Sequence, residues 1–91
     1  MTIQWSDEAS SDLVRLHYFL SEKSERAADA AIRTIVAGAL TLTTYPRRGQ
    51  IIERYLPREV RRLIVADYEL RYEIHGDDAY VVAVFHTREE R

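Results

Sequence analysis

Residues 68–75 read Tyr-Glu-Leu-Arg-Tyr-Glu-Ile-His, with apolar side chains at 68, 70, 72 and 74 and polar ones at 69, 71, 73 and 75. A repeat of two sustained over this stretch is the mark of a strand with one buried and one solvated face. It belongs in an antiparallel sheet covered on one side only, because a parallel strand buried on both faces reads as an unbroken apolar run. Working outward, Gly76, Asp77 and Asp78 make a turn and Ala79 to Thr87 reads as the next strand. On the other side, Ile51 to Tyr55 and Val60 to Ala66 read as two earlier strands of the same meander. The register of the last hairpin stays open. A loop of Asp77 and Asp78 sets His86 opposite Glu69 and Val84 opposite Arg71, on the solvated face; a loop one residue longer turns His86 toward Tyr68 and the core.

Before Gly49 the period is that of a helix. Ile3 to Trp5 is a short strand, and Ser6 is an N-cap followed by Asp7 and Glu8, acids suited to the positive end of a helix dipole. Ala9, Leu13, Leu16 and Leu20 form the apolar stripe of a first helix ending near Ser21 to Lys23. Ser24 caps a second helix, striped by Ala28, Ile32, Ile35, Ala39 and Leu42 and stopped by Thr44, Tyr45 and Pro46. Gly38 inside that helix costs about 1 kcal/mol against alanine, which points to close approach by another element. The reading is therefore one α+β domain over 1–91: a short N-terminal strand, a helical hairpin, and an antiparallel meander with the helices on one face. Trp5, Tyr68 and Tyr72 are expected to be core aromatics.

Composition excludes several classes. With 91 residues, 46% hydrophobic and 31% charged, 3 Gly and 2 Pro, the chain is neither disordered nor collagen-like, and it is small enough that a partner is expected to complete its core. No apolar run approaches the roughly 18 residues of a membrane span, and no signal peptide is read at the N-terminus, so the expected compartment is the cytoplasm, with no membrane partner. The absence of cysteine removes thiolate chemistry and Cys-type zinc sites. No His, Asp and Glu set has metal-ligand spacing, no glycine-rich phosphate loop occurs, and no serine has a paired base, so neither a metal nor a cofactor is expected. His17 and His75 read as surface or boundary residues.

The net charge of −2 hides two opposed segments. Twelve of the 13 cations are arginine, the residue suited to bidentate contact with carboxylate and phosphate. From Arg47 to Arg62, six arginines against Glu53 and Glu59 leave +4; from Asp67 to Asp78, five acids against Arg71 leave −4. The simplest expectation is that neighbouring strands pair these charges across the sheet.

The order of elements, together with Trp5, Ala9, Asp12 and Leu13, then Pro46-Arg47-Arg48-Gly49, Leu56-Pro57, Arg61-Arg62-Leu63, Tyr68 to Ile74, and Val82, Val84, His86 and Arg88, resembles the RelE/ParE superfamily of toxins from type II toxin-antitoxin systems. That resemblance implies a growth inhibitor held inactive by an antitoxin whose extended C-terminal segment wraps the helices and a sheet edge. Operator DNA would be met only indirectly, through the antitoxin. Two activities occur among such relatives: ParE-like members inhibit DNA gyrase, and RelE-like members are ribosome-dependent mRNA endoribonucleases.

Chemistry weighs between the two. Cleavage through a ribose 2′-hydroxyl needs a base, an acid and cationic donors on the developing charge. The candidates for a nuclease are Arg62, Arg71, His86 and Arg88, with Arg54 and Arg61 adding positive charge. Against it, Glu69 stands where the ribonuclease branch has a basic residue, the lysines of that branch have no counterparts, and a pI near 5.9 gives little counterion release on RNA. The ParE-like reading is favoured, as a gyrase-binding inhibitor and not an enzyme; the alternatives are the nuclease, or a toxin fold with another target or none. Candidate target-binding residues are Arg61, Arg62, Arg71 and Arg88, although Arg61 and Arg62 point to opposite faces of their strand. His86 reads more simply as a strand-end histidine bonded to a neighbour. Val14, Tyr18 and Phe19 in the first helix and Val36 and Leu40 in the second lie off the apolar stripes and are the candidate antitoxin-binding residues.

Overall fold

The computed structural model describes residues 1–89. In chain order the elements are β1 (Thr2–Trp5), α1 (Asp7–Ser21), α2 (Glu25–Leu40), β2 (Gln50–Ile51), β3 (Glu59–Val65), β4 (Tyr68–His75) and β5 (Asp78–His86), with 3-10 turns at Thr41–Thr43 and Glu53–Tyr55. Both helices begin as their sequences dictate: the Ser6 hydroxyl accepts the Ala9 N–H at 3.0 Å, and the Ser24 hydroxyl accepts that of Ala27 at 3.1 Å. The stripes of α1 and α2 then bury Ala9, Leu16, Ile35 and Ala39 in one cluster with the sheet, and Ala28 is buried as well. Gly38 is the close approach its position implied, since a Cβ there would stand 2.6 Å from a Val65 methyl.

The sheet order is β1-β5-β4-β3-β2. Strands β2 to β5 form the expected antiparallel meander, whereas β1 adds to β5 in parallel, pairing Ile3 with Ala79 and Trp5 with Val81. The expected strand Ile51 to Tyr55 is corrected: two residues pair with β3 and the chain then turns through 3-10 geometry and a cis Leu56–Pro57 bond. The helix-facing side of the sheet carries Leu63, Leu70, Tyr72, Ile74, Ala79, Val81 and Val84, all buried. Tyr72 is a core aromatic, and Tyr68 and Trp5 pack against the same cluster.

The last hairpin takes neither expected path. His75 pairs with Asp78, so the loop is Gly76 and Asp77, with Gly76 at φ 61°. A bulge then inserts Val82 opposite the Arg71–Tyr72 step, and beyond it Tyr68 pairs with His86. The extra residue turns His86 to the helix side, where a longer loop would also have put it.

Candidate functional site

Register divides the candidate residues between the two faces of the sheet. On the open face lie Arg62 and Ile64 of β3, Glu69, Arg71 and Glu73 of β4, and Ala83 and Phe85 of β5. On the helix side lie Arg61 and His86. The four nuclease candidates are therefore not one constellation: Arg62 and Arg71 share the open face, while His86 and Arg88 stand at the helix-side end of β5.

The open face is largely neutralised from within. Arg71 Nε donates to Glu69 Oε2 at 2.8 Å, and its guanidinium lies 4.9 Å from the Phe85 ring centre. Covered this way, Glu69 is only 8% exposed despite its place on the uncovered side. Arg58 reaches across from the 53–58 segment and forks onto Glu73 through two bonds of 3.1 and 2.7 Å. That bond and the Arg58 charge hold the Glu73 carboxyl below its ordinary range against the opposing effect of burial. Among the described residues this is the one ion pair joining the arginine-rich segment to the acidic one. Arg61 and Arg71 pair instead with Glu59 and Glu69, since strand neighbours two apart share a face and a long guanidinium reaches them without crossing the ladder.

Arg61 is not on the open face and not free. Its guanidinium donates to Glu59 at 2.8 Å and to the Gly49 carbonyl at 2.7 Å, and Arg47 forks onto the same Glu59. Burial would raise the Glu59 carboxyl, but the bonds from Arg61 and Arg47 outweigh it and hold the group low. Beside this cluster the buried Tyr72 hydroxyl donates to the Pro46 carbonyl at 2.7 Å and accepts the Gly49 N–H at 2.9 Å. Arg61 therefore anchors the 46–49 loop from the helix side, and of the Arg61–Arg62 pair it is Arg62 that shares the open face with Arg71.

At the end of β5, His86 packs edge-on against Tyr68 with ring centres 5.5 Å apart, and its Nδ1 accepts the Arg88 N–H at 3.1 Å. Neutral His86 thus carries its proton on Nε2. Glu89 closes the turn by accepting the His86 N–H at 2.9 Å and pairing with Arg15 at 3.0 Å. A groove of about 540 Å3 opens here, floored by Leu16, Phe19 and Leu20 and rimmed by Arg15, His86, Arg88 and Glu89. A second, shallower groove of about 370 Å3 runs between the helices, lined by Leu13, Val14, His17, Tyr18, Ser21 and Ile32.

The antitoxin-binding candidates divide accordingly. Val14 and Tyr18, each 70% exposed, line the inter-helix groove, and Phe19 lines the other. Leu40 is exposed but lies eight residues beyond Ile32, about 12 Å along α2 at 1.5 Å per residue. Val36 is half-buried, which corrects its expected exposure. Sequence reasoning missed Asp12 and Arg15, which cap the β5 edge beyond the reach of β1: Asp12 Oδ2 accepts the Val84 N–H at 2.9 Å and Arg15 donates to the Val84 carbonyl at 3.4 Å. It also missed Tyr55 and Arg58: Tyr55 ends the expected strand Ile51 to Tyr55, and Arg58 lies between that strand and the next with no role of its own. Among the described residues no group of His, Asp and Glu is placed to hold a metal ion, and no helix is long and apolar enough to cross a membrane.

A family model described as the ParE toxin of type II toxin-antitoxin system, parDE, matches residues 3–91. A solved structure titled "Chromosomal ParDE TA system from P. aeruginosa" contains a chain that superposes with a TM-score of 0.77 at 18% identity, over 94% of this chain and 95% of that one. Comparison with curated proteins finds no match.

Proposed function

The chain belongs to the ParE toxin family of type II toxin-antitoxin systems, with an antitoxin as its partner, and from that premise we propose that it arrests growth by binding and inhibiting DNA gyrase in the cytoplasm, without hydrolytic chemistry of its own. The observation that carries this reading is the division of the cleavage candidates by the sheet: Arg62 and Arg71 on one side, His86 and Arg88 on the other. In-line attack on a phosphodiester needs base, acid and cations within a few ångströms of one phosphate. The paired state of Arg71 and the burial of Glu69 beside it also favour a surface that meets protein over one that meets RNA.

The antitoxin is proposed to cover the groove lined by Val14 and Tyr18 and to reach Phe19 around α1. Strand pairing would use the β2–β3 edge, since Ser6, Asp12 and Arg15 already occupy the β5 edge beyond β1. Contact with operator DNA would come through the antitoxin.

Two assays on the induced toxin decide the target: gyrase supercoiling in vitro, and primer extension on translated mRNA. Inhibited supercoiling with intact transcripts is expected. Cleavage within translated codons that Arg88→Ala abolishes would overturn the proposal in favour of the nuclease.

A further inference from the structure

The 53–58 segment is tied to the open face by the Arg58 fork onto Glu73, and Tyr55 stands beside Arg58. Arg54 Nη2 donates to the Tyr55 hydroxyl at 3.3 Å, with its guanidinium 4.9 Å from the ring centre, and Arg58 stands 6.0 Å from the same ring. Arg58 is held by Glu73 and Arg71 by Glu69. Arg54 and Arg62, by contrast, have no carboxylate within ion-pair distance among the described residues, and Arg62 sits directly across the ladder from Arg71. Four arginines (Arg54, Arg58, Arg62, Arg71) against three glutamates (Glu53, Glu69, Glu73) leave this patch at +1 in a chain whose total is −2. The bond and charge of Arg54, with smaller help from Arg71 and Arg58, hold the phenol of the half-buried Tyr55 below its usual value.

We propose that Arg54, Arg62 and the Tyr55 hydroxyl form a recognition site for the carboxylates of an acidic, partly apolar protein segment. The site rests on the reading that the toxin acts by seizing a protein, and supplies the chemistry by which it does so. Three features favour a peptide over a nucleic-acid backbone. Glu69 and Glu73 inside the patch repel a run of phosphates. With only Arg54 and Arg62 of the patch unpaired among the described residues, few phosphates would be neutralised and the gain from counterion release is small. Ile64, 52% exposed on the same face, offers apolar contact that a phosphodiester does not use. Arg62 has no carboxylate partner among the described residues, and Arg54 retains donors beyond the one Nη2 gives Tyr55, so a carboxylate can be met by either guanidinium.

The test is a low-salt titration of the toxin with a short peptide of alternating glutamate and leucine, followed through the tyrosine ring and arginine Nε–Hε resonances. Shifts are expected at Tyr55, Arg54 and Arg62, with affinity falling about tenfold in the Arg54→Gln, Arg62→Gln double variant. Arg33→Gln, on the exposed side of α2, should bind as wild type. Unchanged circular dichroism confirms that the double variant is folded. Equal binding by the double variant, shifts confined to other residues, or tighter binding of an oligothymidylate than of the peptide would overturn the proposal. Supercoiling by wild-type toxin reads the gyrase assignment separately: a toxin that takes the peptide at this site and leaves supercoiling untouched refutes gyrase as target and supports the site.

Discussion

Replacing Tyr72 by phenylalanine removes one oxygen from the best-buried aromatic of the core and tests how the 46–49 loop is held. The hydroxyl donates to the Pro46 carbonyl and accepts the Gly49 N–H, so its loss orphans both backbone groups. The Gly49 N–H is buried and has no room to recruit water, since even a Cβ on Gly49 would meet the Arg62 carbonyl at 2.7 Å. An unsatisfied buried donor costs about 1–3 kcal/mol, and the less enclosed carbonyl adds up to about 1 kcal/mol, giving a loss of about 2–3 kcal/mol. With a urea m-value of about 1 kcal/mol/M for a chain this small, the midpoint should fall by about 2 M. Trp5, the one tryptophan, packs against the core and reports the transition by fluorescence. The pH dependence gives a second reading. Burial holds the Tyr72 phenol above its ordinary 10.0, so the folded state keeps the proton that the unfolded chain releases first. This contribution is complete below pH 10 and is lost as pH rises through the elevated value. The deficit of Tyr72→Phe should therefore shrink above pH 10. A variant within about 0.5 kcal/mol of wild type at pH 7, or a deficit that grows in alkali, refutes the role given to this hydroxyl.

Four further outcomes are expected. Ala66, at φ 53° in the β3–β4 loop, occupies a conformation that favours glycine, so Ala66→Gly should stabilise by about 0.5–1 kcal/mol in urea unfolding, the relief of strain exceeding the added chain entropy. Glu59→Gln should cost about 1–2 kcal/mol at neutral pH. Because the Glu59 carboxyl is held below its ordinary 4.5, that contribution is complete above this value and is lost as pH falls through the lowered one, so the two proteins should converge in acid. Gly49→Ala should destabilise by at least about 2 kcal/mol, since its Cβ would also meet the Tyr72 ring at 2.8 Å; melting temperature checks it. In calorimetric titration with the antitoxin, Val14→Ser with Tyr18→Ser should weaken binding by about 10–100-fold, whereas Leu40→Ser, away from both grooves, should change it less than about threefold.

The helices were legible because their signals are local. Ser6 and Ser24 cap by bonds three residues away, the stripes follow the helical period, and an interior glycine has few uses other than close packing. β4 was legible because its alternation is nearly perfect. β5 was not: residues 80–85 read Tyr-Val-Val-Ala-Val-Phe, apolar at both parities, so no change of phase marks the bulge at Val82. The bulge follows from tertiary contacts instead. Ser6, Asp12 and Arg15 take up the backbone groups of Val82 and Val84 where β1 ends. The face of His86 depends on this bulge, which is why no count of loop residues alone could place it. The same limit hid Tyr55, whose segment has strand-like composition but too little pairing partner: β2 joins β3 at only two positions.

The arrangement of charge bears on the proposal that this chain binds its target without cutting RNA. A cation that stabilises a phosphorane must be free to meet charge that appears only in the transition state. Arg71 is already bonded to a glutamate that is 8% exposed, and shifting it to a phosphate would leave Glu69 as an unpaired buried anion. At an effective dielectric of 20, two like charges about 4 Å apart repel by about 4 kcal/mol, close to what one well-placed catalytic donor contributes. The pair therefore cancels the advantage Arg71 would bring to phosphoryl chemistry. A protein surface imposes no such conflict, because Arg71 can keep its glutamate and Arg54 and Arg62 remain available for an incoming carboxylate. On the proposed reading, glutamate at position 69 would act on the choice of target as much as on the fold, disfavouring phosphoryl chemistry on this face while leaving Arg54 and Arg62 for a carboxylate.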